Sequence, residues 1–127
     1  MRQVSSRRGF TLIELLVVMT IIAALLAIAA PRYFNSVDRS HEVALRQSLL
    51  TMRDAIDKFQ ADTGQYPETL AALAEKRYLR AVPVDPLTDS AATWVIVAPP
   101  DDGKTGVYDV KSGADGRAQD GSEFKDW

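Results

Sequence analysis

The chain has 127 residues, with 15 basic and 17 acidic side chains, one histidine and no cysteine, for a net charge of −2. That length suits one small domain plus a short additional segment, and the lack of cysteine excludes disulfide stapling and leaves stability to packing or a metal. No basic stripe of the kind a nucleic-acid binder needs is visible, and one His without Cys, Gly-x-Ser-x-Gly or metal-ligand spacing leaves nothing from which to build a nucleophile or a zinc site.

Met1 to Arg8 is a short polar leader carrying Arg2, Arg7 and Arg8, and from Phe10 to Ala30 almost every residue is apolar until Pro31 closes the run. About 20 apolar residues at roughly 1.5 Å rise match a hydrocarbon core about 30 Å thick. Glu14 lies only a few residues inside that run. A charge there costs roughly 3 kcal/mol on insertion scales, so it needs a partner and a reason. An ordinary anchor explains neither Glu14 nor Gly9. A conventional secretory signal would place its apolar region ahead of a small-residue cleavage site, whereas here the basic–polar boundary comes first. Ala23-Ala24 and Ala27 to Ala30 can nevertheless mimic such a site. The leader arginines hold their end cytoplasmic and place the rest of the chain across the membrane; Arg32 and Arg39 at the far end weaken that asymmetry.

The helix is expected to continue through Pro31, since neighbours can absorb a proline kink in a membrane segment. Leu45, Leu49, Met52, Ile56 and Phe59 step by four and three, which is one stripe of an amphipathic helix facing a core. Glu42 with Arg46 and Asp54 with Lys58 stand at i, i+4, acid before base. Asp62-Thr63-Gly64 supplies the stop, with Gly64 suited to a left-handed cap. From near Phe10 to near Asp62 such a helix measures about 80 Å. His41 has no second ligand in sequence and reads as solvated.

Gln65-Tyr66-Pro67 reads as a turn, with Pro67 pre-setting a short helix through Leu70, Leu73 and Ala74 to about Lys76. Tyr78 to Pro86 reads as an extended connector, because residues before proline are pushed out of the α region. Trp94 to Ala98 and Val107 to Lys111 read as two strands of an antiparallel hairpin with a loose loop over Pro99 to Gly103, Trp94 being core. The fold class is therefore α+β, a long N-terminal helix packed on a small antiparallel sheet.

Ser112 to Trp127 is rich in glycine and carboxylates. Calcium takes six to eight oxygens at about 2.4 Å. Gly113, Gly116 and Gly121 permit tight turns, and Asp115, Asp120, Glu123 and Asp126 offer ligands. The Asp-x-Asp-x-Asp-Gly run of an EF-hand is missing, and a solvated glycine-rich tail is the other reading.

Arg8-Gly9-Phe10-Thr11-Leu12-Ile13-Glu14-Leu15 resembles the processing site of type IV pilins and type II secretion pseudopilins. Asp62-Thr63-Gly64-Gln65-Tyr66-Pro67, Tyr78-Leu79, Pro83-Val84-Asp85-Pro86 and Tyr108-Asp109-Val110 follow in an order similar to the major, G-type pseudopilin of type II secretion. That resemblance implies a pilin-like fold and cleavage by a prepilin peptidase between Gly9 and Phe10, with N-methylation of Phe10. It implies that Glu14 meets the free amine of a neighbouring subunit during filament assembly. It also implies a calcium ion held in the tail, for which Ser112, Asp115, Asp120 and Asp126 are the ligands expected here. Many type IV pilins close a C-terminal loop with a disulfide; major pseudopilins resemble this chain in lacking one. The chain departs from the family after Pro86, where Leu87-Thr88-Asp89-Ser90 replaces the usual Trp-Gly-Asn-Pro, and in its shorter segment from Pro67 to Tyr78. The family's closing acidic pair does not appear as adjacent residues.

The expected organisation is a cleaved leader over residues 1–9, a membrane and assembly helix over 10–31, its amphipathic continuation over 32–64, and a small periplasmic domain over 65–127. Loss of Arg2, Arg7 and Arg8 leaves 12 basic against 17 acidic side chains, about −5 in all. The function this implies is a structural, non-enzymatic subunit of the secretion pseudopilus, anchored in the inner membrane with its C-terminal domain periplasmic. Its implied partners are a prepilin peptidase, further copies of itself, other pseudopilins, and indirectly the inner-membrane platform and secretion ATPase. A type IV pilus subunit for adhesion, motility or DNA uptake is the first rival, and a membrane-tethered enzyme the second.

Overall fold

The structure, a computed structural model, describes residues 8–127; the leader ahead of Arg8, with Arg2 and Arg7, lies outside the described residues. These residues divide into two compact units after Val37. Helix α1, Leu12–Thr63, contributes to both and runs through Pro31 without a break. In the first unit every residue from Arg8 to Ala29 is exposed. Apart from Glu14 and Thr20 the helical side chains here are apolar, and among the described residues no other element covers them. By length and composition α1 can cross a membrane.

The second unit is built on the remainder of α1. Leu45, Leu49, Met52, Ala55 and Ile56 are buried, and Phe59 is packed at the margin of the core. The stripe expected from the four-and-three spacing is therefore the helical side of this core. Gly64 ends α1 with φ 75° and returns its N–H to the Gln60 carbonyl at 2.8 Å, the left-handed cap its position called for. Helix α2, Leu70–Glu75, is shorter than expected and does not begin at Pro67. Thr69 is its N-cap, accepting the Ala72 N–H at 3.1 Å; a hydroxyl that satisfies an orphan donor sets the start more firmly than a proline does. Pro67 is buried instead, and its carbonyl accepts the Val107 N–H at 2.7 Å.

Strands β1, Val95–Val97, and β2, Asp109–Lys111, form a two-stranded antiparallel sheet with Ile96 opposite Val110. Trp94 is core, as expected, and its indole N–H donates to the Pro83 carbonyl at 2.8 Å. Both strands are shorter than the sequence implied. The fold is α+β, and Val107, Val110, Leu73, Leu79 and Trp94 close the core over α1.

Two local expectations need correction. Asp54 and Lys58 pair at 2.8 Å, and the carboxylate raises the Lys58 ammonium above its ordinary value. Glu42 and Arg46 do not pair. Glu42 Oε1 accepts the Gln119 N–H at 2.7 Å, and Arg46 turns to Asp120 at 3.5 Å and to the face of Trp127 at 4.0 Å. The connector before Pro86 is likewise more than a spacer, since Asp85 within it is fully buried.

Candidate functional site

The expected processing and assembly residues lie together at the start of α1. Phe10 is 92 % exposed. A Cβ placed on Gly9 would meet nothing within 4 Å, so the chain's own packing does not ask for glycine there. Glu14 is the third residue of the helix, and Thr11 stands just before its first turn. The Thr11 Oγ1 accepts the Glu14 N–H at 3.1 Å, and Glu14 Oε2 accepts the Thr11 N–H at 3.0 Å. This reciprocal arrangement is a capping box, which satisfies two orphan donors at once. The Thr11 hydroxyl also reaches Glu14 Oε2 at 3.4 Å.

The box bears directly on the cost of a carboxylate in an apolar run. An ionised carboxylate offers about four acceptor positions. Thr11 engages only Oε2, and Oε1 accepts no hydrogen bond among the described residues. Glu14 is thus partly satisfied within its own chain and retains an open oxygen for a donor from outside. Thr11 is not among the residues expected from the sequence, although the Thr-x-x-Glu spacing before an apolar run is its signal. Farther along, the Thr20 hydroxyl is satisfied by the Leu16 carbonyl at 2.8 Å, so it adds no unpaired group to the apolar surface.

Three of the residues expected to hold calcium are engaged within the chain. Ser112 is buried, and its hydroxyl donates to Asp85 Oδ2 at 2.6 Å. Asp115 pairs with Lys125 at 2.8 Å, which lowers the carboxyl and raises the ammonium from their ordinary values. Asp120 Oδ1 accepts both the hydroxyl and the N–H of Ser122, at 2.6 and 2.9 Å, and these bonds hold its carboxyl low. Asp126 lies in a closing 3-10 turn, Phe124–Asp126. Among the described residues no group of three or more His, Cys, Asp or Glu side chains is placed to hold a metal.

The tail is held in another way. Phe124 is buried and meets Trp127 edge-on, with centroids 5.1 Å apart. The Trp127 indole N–H donates to the Ser122 hydroxyl at 2.8 Å. Arg53 binds Asp109 at 2.8 Å and the Val110 carbonyl at 3.0 Å, and it also donates to the Trp127 backbone oxygen. One guanidinium therefore ties α1 to β2 and to the tail together. Charge-assisted bonds of this planar fork are among the stronger ones available.

The prokaryotic N-terminal methylation motif matches residues 4–30. The chain is 31% identical over 126 residues to type II secretion system core protein G of Pseudomonas aeruginosa, covering 86% of this chain and 84% of that protein. It is 28% identical over 144 residues to the protein of that name from Escherichia coli, covering 100% and 95%. With the Vibrio cholerae protein of that name it shares 26% over 138 residues, covering 97% and 90%. No solved structure matches.

Proposed function

The chain belongs to the type II secretion system core protein G family, and from that premise we propose how it serves as a structural subunit of the secretion pseudopilus. It is made as a precursor anchored in the inner membrane by the run from Phe10 to Pro31, with the leader cytoplasmic and the second unit periplasmic. A prepilin peptidase cuts between Gly9 and Phe10. Copies then stack through their N-terminal helices, alongside other pseudopilins, into a filament that helps to move folded proteins across the outer membrane. Its work is mechanical, and we assign it no catalytic step. The relatives are named for type II secretion, so a type IV pilus subunit is not favoured.

The observation that carries this reading is Glu14, a carboxylate in an exposed apolar helix with one oxygen engaged by Thr11 and the other open. A free amine at Phe10 of a neighbouring copy supplies the missing donor and offsets the cost of the buried charge. Gly9 supports the processing step in that it is open to an external partner, since a Cβ there would meet nothing within 4 Å.

The test compares wild type, Gly9→Leu and Glu14→Ala in cells with an intact secretion system. Intact mass of membrane-extracted wild type should correspond to residues 10–127 with a methylated amine, and Gly9→Leu should retain residues 1–9. Glu14→Ala should be cut and inserted but fail to form filaments or support secretion. Wild type that keeps its leader, or Glu14→Ala that assembles normally, would overturn this reading.

A further inference from the structure

Immediately beyond Pro31, α1 presents Arg32, Tyr33 and Phe34, all exposed. Tyr33 is 67 % and Phe34 64 % exposed, and their rings meet edge-on with centroids 5.9 Å apart. Arg32 takes part in none of the side-chain ion pairs found among the described residues. At about 100° per residue these three side chains fan over roughly 200° of the helix surface. Such a fan suits an enclosing medium better than a single protein groove.

The position along the helix identifies that medium. Phe10 to Ala30 covers a hydrocarbon core about 30 Å thick, so Arg32 to Phe34 fall within the first turn beyond it. Aromatic rings with one apolar and one wet side collect at this level of a bilayer. An arginine on the far side of the membrane runs against the orientation rule. A lipid phosphate gives that arginine a planar, bidentate acceptor close to the helix.

Resting on the reading that residues 10–31 span a membrane, we propose that Arg32, Tyr33 and Phe34 form an interfacial anchor at the periplasmic end of the span. Arg32 binds a lipid phosphate, and the two rings lie at headgroup depth. The anchor sets how deeply each subunit sits in the bilayer before it is drawn into the filament.

The experiment uses the full processed chain in phosphatidylethanolamine–phosphatidylglycerol vesicles, in phosphate-free buffer so that lipid is the only source of phosphorus. Carbon–phosphorus dipolar recoupling is measured on arginine-labelled protein. A bidentate contact places the guanidinium carbon about 4 Å from phosphorus. The expected result is strong dephasing in wild type that is mostly lost in Arg32→Ala and kept in Arg39→Ala. No dephasing in wild type, or undiminished dephasing in Arg32→Ala, overturns the proposal. A nitroxide at Ile22→Cys, introduced into a chain with no cysteine of its own, tests the underlying reading separately. Accessibility to oxygen but not to a water-soluble nickel chelate shows that the span holds. Tyr33→Cys and Phe34→Cys labels that leave bulk water only in assembled filaments, and not in lipid alone, would assign this surface to a second copy and overturn the lipid anchor.

Discussion

The Ser112 hydroxyl donates to Asp85 Oδ2 at 2.6 Å, and both residues are at most 1 % exposed. Asp85 Oδ1 accepts the Leu87 N–H at 2.8 Å, and Ser112 Oγ accepts the Ala114 N–H at 3.1 Å. This short chain of bonds ties the connector before Pro86 to the start of the tail. Ser112→Ala should strip Asp85 Oδ2 of its donor and Ala114 of its acceptor, at a cost of about 1–3 kcal/mol. A loss of this size lowers the melting temperature of a domain this small by roughly 4–8 °C per kcal/mol. A thermal melt of the full chain in detergent measures it, and an unchanged midpoint would mean that the pair adds nothing to stability.

Gly113 should not tolerate a side chain. A Cβ there would sit 2.1 Å from the Thr93 carbonyl oxygen, a backbone atom that cannot move aside without shifting the approach to β1. Gly113→Ala is expected to cost about 1–3 kcal/mol through overpacking. Gly9→Ala, where nothing lies within 4 Å, is the control and should melt with wild type.

Arg53 should control the tail from α1. Arg53→Ala removes its bonds to Asp109, Val110 and Trp127 together. Three part-buried acceptors then lose a charged donor, at about 1–3 kcal/mol. Trypsin should cut faster at Arg117 and Lys125, and amide exchange should rise from Gly121 to Trp127. Arg53→Lys should restore only part of the protection, because an ammonium cannot reproduce the planar fork. Equal cleavage rates in all three proteins would count against this role.

The tail should respond to acid before it responds to calcium. Lys125 holds Asp115 low, and Ser122 holds Asp120 low. A carboxyl lowered by folding adds stability that is fully present above its ordinary value and is lost as pH falls through the lowered one. The contribution of Asp115 and Asp120 should therefore be flat near neutral pH and decline only below the usual carboxylate range. Asp115→Asn and Asp120→Asn should flatten that decline. As both groups are well exposed, the effect should be small and should weaken in salt.

With its donors arranged as they are, the chain should melt at one temperature in calcium and in chelator. A higher midpoint in calcium, lost in Asp115→Ala, would show that the tail rearranges to gather its carboxylates around an ion, with binding energy added to folding.

What the sequence by itself determined is whatever is local or periodic along the chain. The span, its basic leader and the intrusive Glu14 are read from neighbours in sequence, as are the core stripe from Leu45 to Ile56 and the cap at Gly64. Each depends on residues a few positions apart, where helical geometry decides which side chains share a face. The Thr11–Glu14 box belongs to this class too, since four residues encode it. The tertiary structure alone decided what depends on chain closure. Arg53 meets Trp127 from 74 positions away, Arg46 leaves its i, i+4 partner for Asp120 at the same separation, and Asp85 meets Ser112 across 27. No period links such positions, and a local ion pair worth a few tenths of a kcal/mol yields readily to a contact that packing brings within reach. For the same reason the carboxylates of the tail, neighbours in sequence, were drawn to Lys125, Ser122 and Arg46 instead of toward one another.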